Sequence, residues 1–254
     1  RPLTHERRRR EPVRAGDPGH RGDGLQCRLD IARDRAAAAE HDDAVGLQPP
    51  AKLMQSAPQR ISYMAATAPM LGLADRAAAA DRAAGAGILS GAAMVDLYSQ
   101  IYAQEDVGGE WAGRAAKLRE AYVGGTPAAR LAAIRALWDG MPGEQQRYSR
   151  QVLTAYAAAR MPASADMADD AGPLIASMLA AGLDRNAMLW APHADVGSEA
   201  WALLTLAAPV RSSPVQPGQL DSFQGNDDSE GARKSAFLLA GLAEGGGLFG
   251  PGTW

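Results

Sequence analysis

Residues 118–138 read LREAYVGGTPAARLAAIRALW, a stretch that contains the end of one helix, a turn and the start of the next. Gly124 and Gly125 are of the residue type expected just beyond a helix C-terminus. Thr126 can cap the following helix, and Pro127 can occupy its first position because the N–H that proline lacks has no helical partner there. Apolar side chains then recur at helical spacing, at Leu131, Ile134, Leu137 and Trp138. The stretch predicts two α-helices joined by a tight turn.

The same pattern of apolar helical stripes and glycine or proline stops continues in both directions. Towards the N-terminus it predicts an alanine-rich helix over residues 73–84, a helix from the cap Ser90 to about residue 104, and a helix that ends at Gly124. Towards the C-terminus it predicts helices around residues 148–159 and 174–179, a helix capped by Asp184, a helix that Ser198 opens as its cap, and a last helix over residues 232–243.

A polar loop over residues 162–170 and a longer connection from Pro209 to about Ser229 separate some of these helices. Elsewhere helices restart every ~15 to 30 residues after short turns, a spacing typical of antiparallel neighbours. We therefore predict an all-α fold of antiparallel helical hairpins that stack as an irregular α-α superhelix.

Composition divides the chain into three parts. Residues 1–60 alternate arginine, glycine, proline and aspartate without an apolar period, which predicts a disordered basic arm. Residues 68–243 form the predicted helical-hairpin domain, and the glycine-rich residues 244–254 form a predicted disordered tail. The arm contains three of the four histidines and the only cysteine, a usage that also fits translation from an incorrect start or reading frame. The sequence leaves open whether both end segments belong to the native product, and whether the chain is a fragment of a longer array.

Charge and hydropathy exclude several classes of function. Residues 1–60 carry twelve lysines and arginines against nine acids, whereas residues 61–254 carry fourteen against twenty. An acidic body repels phosphates, so we expect no nucleic-acid partner for it. No run of about 18 apolar residues occurs, so we expect no membrane span. We expect a soluble chain, either cytoplasmic or exported in a full-length form.

Three segments carry a resemblance to known sequences: GILSGAAMVDLYSQIY at residues 87–102, the stretch at residues 118–138, and LIASMLAAGLDRNAMLWAP at residues 174–192. Through them, residues 68–243 resemble a group of uncharacterised alanine-rich helical proteins from high-GC bacteria. The resemblance implies an α-helical hairpin array, with export as one option for the full-length protein. It carries no known activity or functional residue.

Candidate catalytic and metal-binding residues are few. His193 lies near Asp195 and Ser198, but the serine lacks the strand–turn–helix context of a catalytic nucleophile, which favours a solvated loop histidine. One histidine and no cysteine in the body make a zinc site unexpected. The acid-rich residues 221–230 lack the ligand spacing of a calcium loop and are typical of a helix N-terminus. The four arginines at residues 7–10 have flanking acids and no interleaved aromatics, which favours a solvated arm. We therefore expect no metal and no cofactor.

Aromatic residues on the helices are the candidate partner-binding set. Tyrosine and tryptophan are common in interface hot spots, although their helical spacing fits ordinary core equally well. We select five of them as candidates for contact with a protein or peptide: Tyr98, Tyr102, Trp138, Trp190 and Trp201.

Three hypotheses of function remain open. The first is a non-enzymatic helical-repeat module that binds a protein or peptide. The second is a helical enzyme that degrades a cell-envelope polymer, which requires a carboxylate such as Glu110, Glu120 or Glu144 in a cleft with a raised pKa. These glutamates lie near helix starts and turns, where capping or solvation is common. The third is a structural fragment without independent activity, which would expose an apolar face at the end of the array.

Overall fold

The chain folds into α-helices joined by turns and short 3-10 helices, in a computed structural model that describes residues 58–104, 107–140, 143–208 and 214–244. The α-helices are α1 (Gln59–Thr67), α2 (Leu73–Gly85), α3 (Gly91–Ala103), α4 (Gly109–Val123), α5 (Pro127–Trp138), α6 (Glu144–Ala158), α7 (Ala171–Leu179), α8 (Asp184–Met188), α9 (Glu199–Ala207), α10 (Pro217–Gly225) and α11 (Arg233–Glu244). The 3-10 helices are Ala165–Asp170, Ala191–His193 and Glu230–Ala232. These residues contain no strand, so the predicted all-α class is confirmed.

The ends of the chain, residues 1–57 and 245–254, lie outside the described residues. The predicted basic arm and the predicted tail therefore stay predictions. The described residues belong to one unit, Ala57–Trp254.

Three helix starts follow directly from local sequence. The side chains of Ser90, Thr126 and Ser198 each accept a hydrogen bond from the backbone N–H three residues later, at 3.2, 3.1 and 3.1 Å. Each bond satisfies a donor of the first helical turn, which confirms these predicted caps. Asp184 was predicted as a cap and instead is the first residue of α8, whose N-cap is Leu183. An acid in this first turn still interacts favourably with the helix dipole.

Two helices were not predicted from sequence. α1 falls where the predicted arm ends, and it presents only small buried residues, Ser62, Ala65 and Ala66, to the rest of the fold. α10 falls inside the predicted connection after Pro209, and its start is a capping box between Gln216 and Gln219. Phe223 is its one buried residue. Neither helix buries a stripe of large apolar residues, the usual source of the pattern that predicts a helix from sequence. The predicted loop at residues 162–170 likewise contains a 3-10 helix, Ala165–Asp170.

α6 is the central helix of the described fold. It packs against α2, α3, α4, α5 and α7, and eight of its fifteen residues are buried, including Arg150 and Thr154. In a linear array each hairpin contacts only its neighbours along the chain. Contact between α2 and α6 is instead typical of a bundle around a central helix, so the predicted superhelix is not confirmed.

Small residues allow the helices around α6 to approach closely. Ala77, Ala79, Ala80, Ala83 and Ala84 of α2 are all fully buried. A Cβ added at Gly91, the first residue of α3, would lie 2.9 Å from the backbone oxygen of Val152 on α6. Alanine and glycine thus replace the large apolar residues that usually separate packed helices.

An apolar cluster of five buried residues joins the last three α-helices. It contains Ala202 of α9, Val215, Phe223 of α10, and Leu238 and Leu242 of α11. The ring centroids of Trp201 and Phe223 lie 6.3 Å apart beside it. Among the described helices, none is both long and apolar enough to cross a membrane.

Candidate functional site

Two adjoining cavities open along the facing sides of α3 and α4. The first has a volume of about 420 Å³ and is lined by residues of these two helices, including Ser99, Tyr102 and Arg119. The second, of about 510 Å³, lies between the start of α3 and the ends of α4 and α6, beside the start of α8, with Tyr156 and Arg160 in its lining. Both volumes fall in the range of ordinary ligand sites. Val95 and Tyr122 line both cavities, which together we call the tyrosine groove.

Helical spacing accounts for the shape of the first cavity. Val95, Ser99 and Tyr102 recur every three or four residues and therefore lie on one face of α3. On α4, Ala115, Arg119 and Tyr122 follow the same spacing and line the same cavity. Small side chains at 99 and 115 leave space, and large side chains at 102, 119 and 122 enclose it.

Each cavity contains an arginine that stacks on a tyrosine. The guanidinium carbon of Arg119 lies 4.9 Å from the ring centroid of Tyr102, a residue with 49% of its surface exposed. The guanidinium carbon of Arg160 lies 5.8 Å from the ring centroid of Tyr122. Both distances are within the range of cation–π attraction. Within the described part of the chain, neither arginine forms an ion pair with a carboxylate.

The hydroxyl of Tyr122 is buried and has no hydrogen-bond partner among the described residues. Burial raises the pKa of Tyr122 to about 12, so its phenol is neutral at physiological pH. A buried hydroxyl without a partner costs roughly 1 to 3 kcal/mol of stability. Such a group calls for a physical explanation.

A buried ion cluster lies behind the groove and fixes its floor. The Arg150 guanidinium of α6 donates to both carboxylate oxygens of Asp81 on α2, at 3.0 and 2.6 Å, and to the Tyr98 hydroxyl at 3.1 Å. The Arg114 guanidinium of α4 lies 3.4 Å from Asp81, and Ser149 donates to the same carboxylate at 3.4 Å. The cluster therefore ties α2, α3, α4 and α6 together.

Burial and the neighbouring charges have opposite effects on the pKa of the Asp81 carboxyl. Burial raises this pKa, and the charges of Arg150 and Arg114 lower it by a smaller amount. Burial also raises the pKa of Tyr98 to about 12, with the charge of Asp81 as a second cause. The ring of Tyr98 lines the first cavity, so one side chain belongs to both the cluster and the groove.

The structure brings together two of the five predicted partner-binding residues. Tyr102 is exposed in the groove, and Tyr98 is 1% exposed beneath it. The other three lie elsewhere. Trp138 is half-buried and donates its indole N–H to Thr154 at 2.9 Å, Trp201 packs on Phe223, and Trp190 is buried among apolar side chains. Tyr98 and Trp190 are both 1% exposed, so contact of either residue with a partner stays a prediction.

Sequence reasoning did not select four residues of the groove: Arg119, Tyr122, Tyr156 and Arg160. The local signal for Arg119 and Tyr122 was their spacing of three on α4, which puts a cation and an aromatic ring on one helix face. Tyr156 and Arg160 belong to a distant part of the chain, and only tertiary packing brings them to Tyr122.

The carboxylates considered for polymer cleavage are exposed and ion-paired. Glu110 pairs with Arg114 at 2.7 Å, Glu120 with Lys117 at 2.9 Å, and Glu144 with Arg233 at 2.8 Å. Their side chains are 62%, 45% and 77% exposed. These environments are those of solvated helix surfaces, not of a cleft.

Polar groups near the two remaining candidate sites have structural roles. The Ser198 hydroxyl near His193 caps α9. In the acid-rich segment, the Asp227 carboxylate accepts hydrogen bonds from the backbone and hydroxyl of both Ser229 and Ser235, which lowers its pKa and secures the start of α11. Across the described ranges, no group of three or more histidine, cysteine, aspartate or glutamate residues could hold a metal ion.

Comparison of the chain with models of protein families, with curated proteins and with solved structures finds no match. The resemblance to alanine-rich helical proteins of high-GC bacteria stays a prediction. Function is inferred from the tyrosine groove and the charges around it.

Proposed function

We propose that the chain is a non-enzymatic protein-interaction module that binds a peptide segment of another protein in the tyrosine groove. The observation that carries this proposal is the exposed Tyr102 ring, stacked with Arg119 at the rim of a cavity of about 420 Å³. Tyrosine and arginine are the residue types enriched in interface hot spots. An adjoining cavity gives the site the length that a peptide requires.

The shape of the groove favours binding of peptide side chains over contact with a flat surface of another protein. Each cavity has tyrosine on one side and small residues on another, so an apolar side chain can enter while the peptide backbone stays at the rim. The ion cluster behind Tyr98 holds the floor in place, which lowers the cost of ordering the site on binding.

A structural role is a second candidate, supported by exposed apolar side chains on α9 and α11. Phe237 and Leu239 of α11 are 73% and 49% exposed, and Leu206 of α9 is 40% exposed. Exposed apolar side chains of this kind fit packing against further helices, as a superhelical array requires. Concentration-dependent association that Phe237→Asp abolishes would support this role.

Selection from a displayed library of random twelve-residue peptides tests the peptide-binding proposal. Selection uses the full chain as bait, with counter-selection against a Tyr102→Ala variant. The affinities of the selected peptides for the wild type and for the Tyr102→Ala variant are then measured by fluorescence anisotropy. We expect Tyr102→Ala to weaken binding about 30-fold, the effect of a hot-spot residue worth about 2 kcal/mol.

Tyr63→Ala is the matched control. Tyr63 lies on α1 outside the groove and is 45% exposed, close to the value for Tyr102. Its substitution should leave binding unchanged. The proposal fails if no peptide is enriched, or if the enriched peptides bind the wild type and Tyr102→Ala equally well.

A further inference from the structure

We propose that the tyrosine groove takes an acidic peptide, in which two carboxylate side chains flank an apolar side chain. The inference rests on the proposed function and names the chemistry of the ligand. One carboxylate binds Arg119 in the first cavity and the other binds Arg160 in the second. The apolar side chain contacts the wall that Val95 and Tyr122 form between them.

Neither Arg119 nor Arg160 forms an ion pair with a carboxylate of the described residues. Four other arginines of the described residues, Arg114, Arg135, Arg150 and Arg233, form ion pairs with carboxylates. Arg119 and Arg160 instead contact tyrosine rings. Two cations that form no ion pair, one in each cavity, are complementary to a ligand with two anionic groups.

The N–H donors of both guanidinium groups are available to a ligand. Among the described residues, the Arg119 and Arg160 guanidinium groups contact tyrosine rings and donate no side-chain hydrogen bond. The donors of a guanidinium match the two oxygens of a carboxylate and can bind both of them. Tyr102 and Tyr122 therefore contact Arg119 and Arg160 without occupying the hydrogen bonds that an acidic side chain needs.

The balance of charge around the groove also favours an acidic ligand. Asp96 lines the second cavity and is exposed, and it is the acidic residue among the lining residues of both cavities. Glu120, next to Arg119 in sequence, is paired with Lys117. The lining therefore carries more positive than negative charge, although residues 61–254 as a whole are acidic.

Fluorescein-labelled peptide pools test this inference on the full chain. One pool carries two glutamates separated by one, two or three residues, with leucine, isoleucine or phenylalanine between them and alanine or serine outside. A second pool has glutamine in place of both glutamates, and a third has lysine. We expect the glutamate pool to bind at least tenfold more tightly than the glutamine pool in 0.05 M salt. The difference should shrink in 0.5 M salt, because salt screens exposed charges.

Variants of Arg119 and Arg160 test whether these two residues bind the glutamates of the peptide. Arg119→Gln and Arg160→Gln should each weaken binding of the glutamate pool about fivefold to tenfold and leave the glutamine pool unchanged. Arg119→Lys should retain part of the affinity, because lysine keeps the charge and loses the paired donors. Arg147→Gln is the matched control, since Arg147 is an exposed arginine of α6 outside both cavities. Circular dichroism and thermal unfolding verify that each variant is folded.

The outcomes separate this inference from the proposed function. Equal binding of the glutamate and glutamine pools overturns the acidic ligand, and Tyr102-dependent binding would still support a peptide groove. Loss of affinity in Arg147→Gln equal to that in Arg119→Gln also overturns it, because the effect would then reflect overall charge. If no pool binds and the peptide library yields no Tyr102-dependent ligand, both proposals fail.

Discussion

Arg150 of α6 donates through both terminal nitrogens to Asp81 of α2, at 3.0 and 2.6 Å, in a site where the Arg150 side chain is 3% exposed. The two residues are 69 positions apart in sequence. A bidentate pair between a central helix and an outer helix fixes their relative rotation as well as their separation.

Asp81→Ala should destabilise the fold by about 3 to 5 kcal/mol, because it leaves the buried Arg150 without a counter-charge. Urea unfolding followed by circular dichroism measures the loss. Glu110→Ala is the control, since it breaks an exposed ion pair of the neighbouring Arg114 and should cost at most about 1 kcal/mol. The double variant Asp81→Leu/Arg150→Met should recover most of the stability. A loss below 1 kcal/mol in Asp81→Ala would contradict the role of the cluster.

Stability should fall between pH 10 and pH 12. Burial raises the pKa of Tyr98 to about 12, whereas the unfolded chain ionises this tyrosine near its usual pKa of about 10. The stabilising contribution is complete below pH 10 and is lost as the pH rises through the folded pKa. The loss is roughly 2 to 3 kcal/mol for this residue. Urea unfolding at pH 9, 10, 11 and 12 measures the slope, which Tyr98→Phe should reduce.

Tyr122→Phe and Tyr98→Phe should change stability in opposite directions. The Tyr122 hydroxyl is buried without a partner, so its removal should stabilise the free protein by about 1 kcal/mol. The Tyr98 hydroxyl accepts a hydrogen bond from Arg150 at 3.1 Å, so its removal should cost about 1 to 3 kcal/mol. Thermal unfolding of the two variants at pH 7 makes the comparison. Destabilisation of similar size in both would show that the Tyr122 hydroxyl has a partner.

Gly91→Ala and Gly113→Ala should also change the stability of the fold in opposite directions. A Cβ at Gly91 would lie 2.9 Å from the backbone oxygen of Val152, so α3 must move away from α6 at a cost of about 1 to 3 kcal/mol. A Cβ at Gly113 meets nothing within 4 Å, so alanine there should stabilise α4 by about 0.5 to 1 kcal/mol. Denaturant midpoints of both variants test the pair. A neutral Gly91→Ala would mean that the approach of α3 to α6 is not tight.

The sequence predicts those parts of the fold that depend on neighbouring residues. Ser90, Thr126 and Ser198 act within one helical turn, so each cap can be recognised from its own residue and the apolar stripe that follows. α10 was not predicted because its stability comes from burial of Phe223 against α9 and α11. It buries no apolar stripe that the sequence could reveal. Tertiary packing overrides local propensity in such short segments.

The candidate site depends more on distant contacts and was predicted less completely. Tyr98 and Tyr102 could be proposed because they share one face of α3. The approach of Tyr156 and Arg160 to Tyr122 depends on how α6 packs across α3 and α4, which no local pattern encodes. The same limit applies to Asp81 and Arg150, whose charges gave no signal of burial in the sequence.

Tyr98 has its ring in the tyrosine groove and its hydroxyl in the ion cluster, so any ligand that displaces the ring must also break a contact with Arg150. Deformation of the groove therefore costs part of the free energy that stabilises the core. Such a surface selects partners by shape, because it does not remodel itself around a poor fit. Partner and core are thermodynamically linked through this one side chain: a ligand that fits without moving Tyr98 should slow hydrogen exchange in α2 and α6, far from the peptide itself.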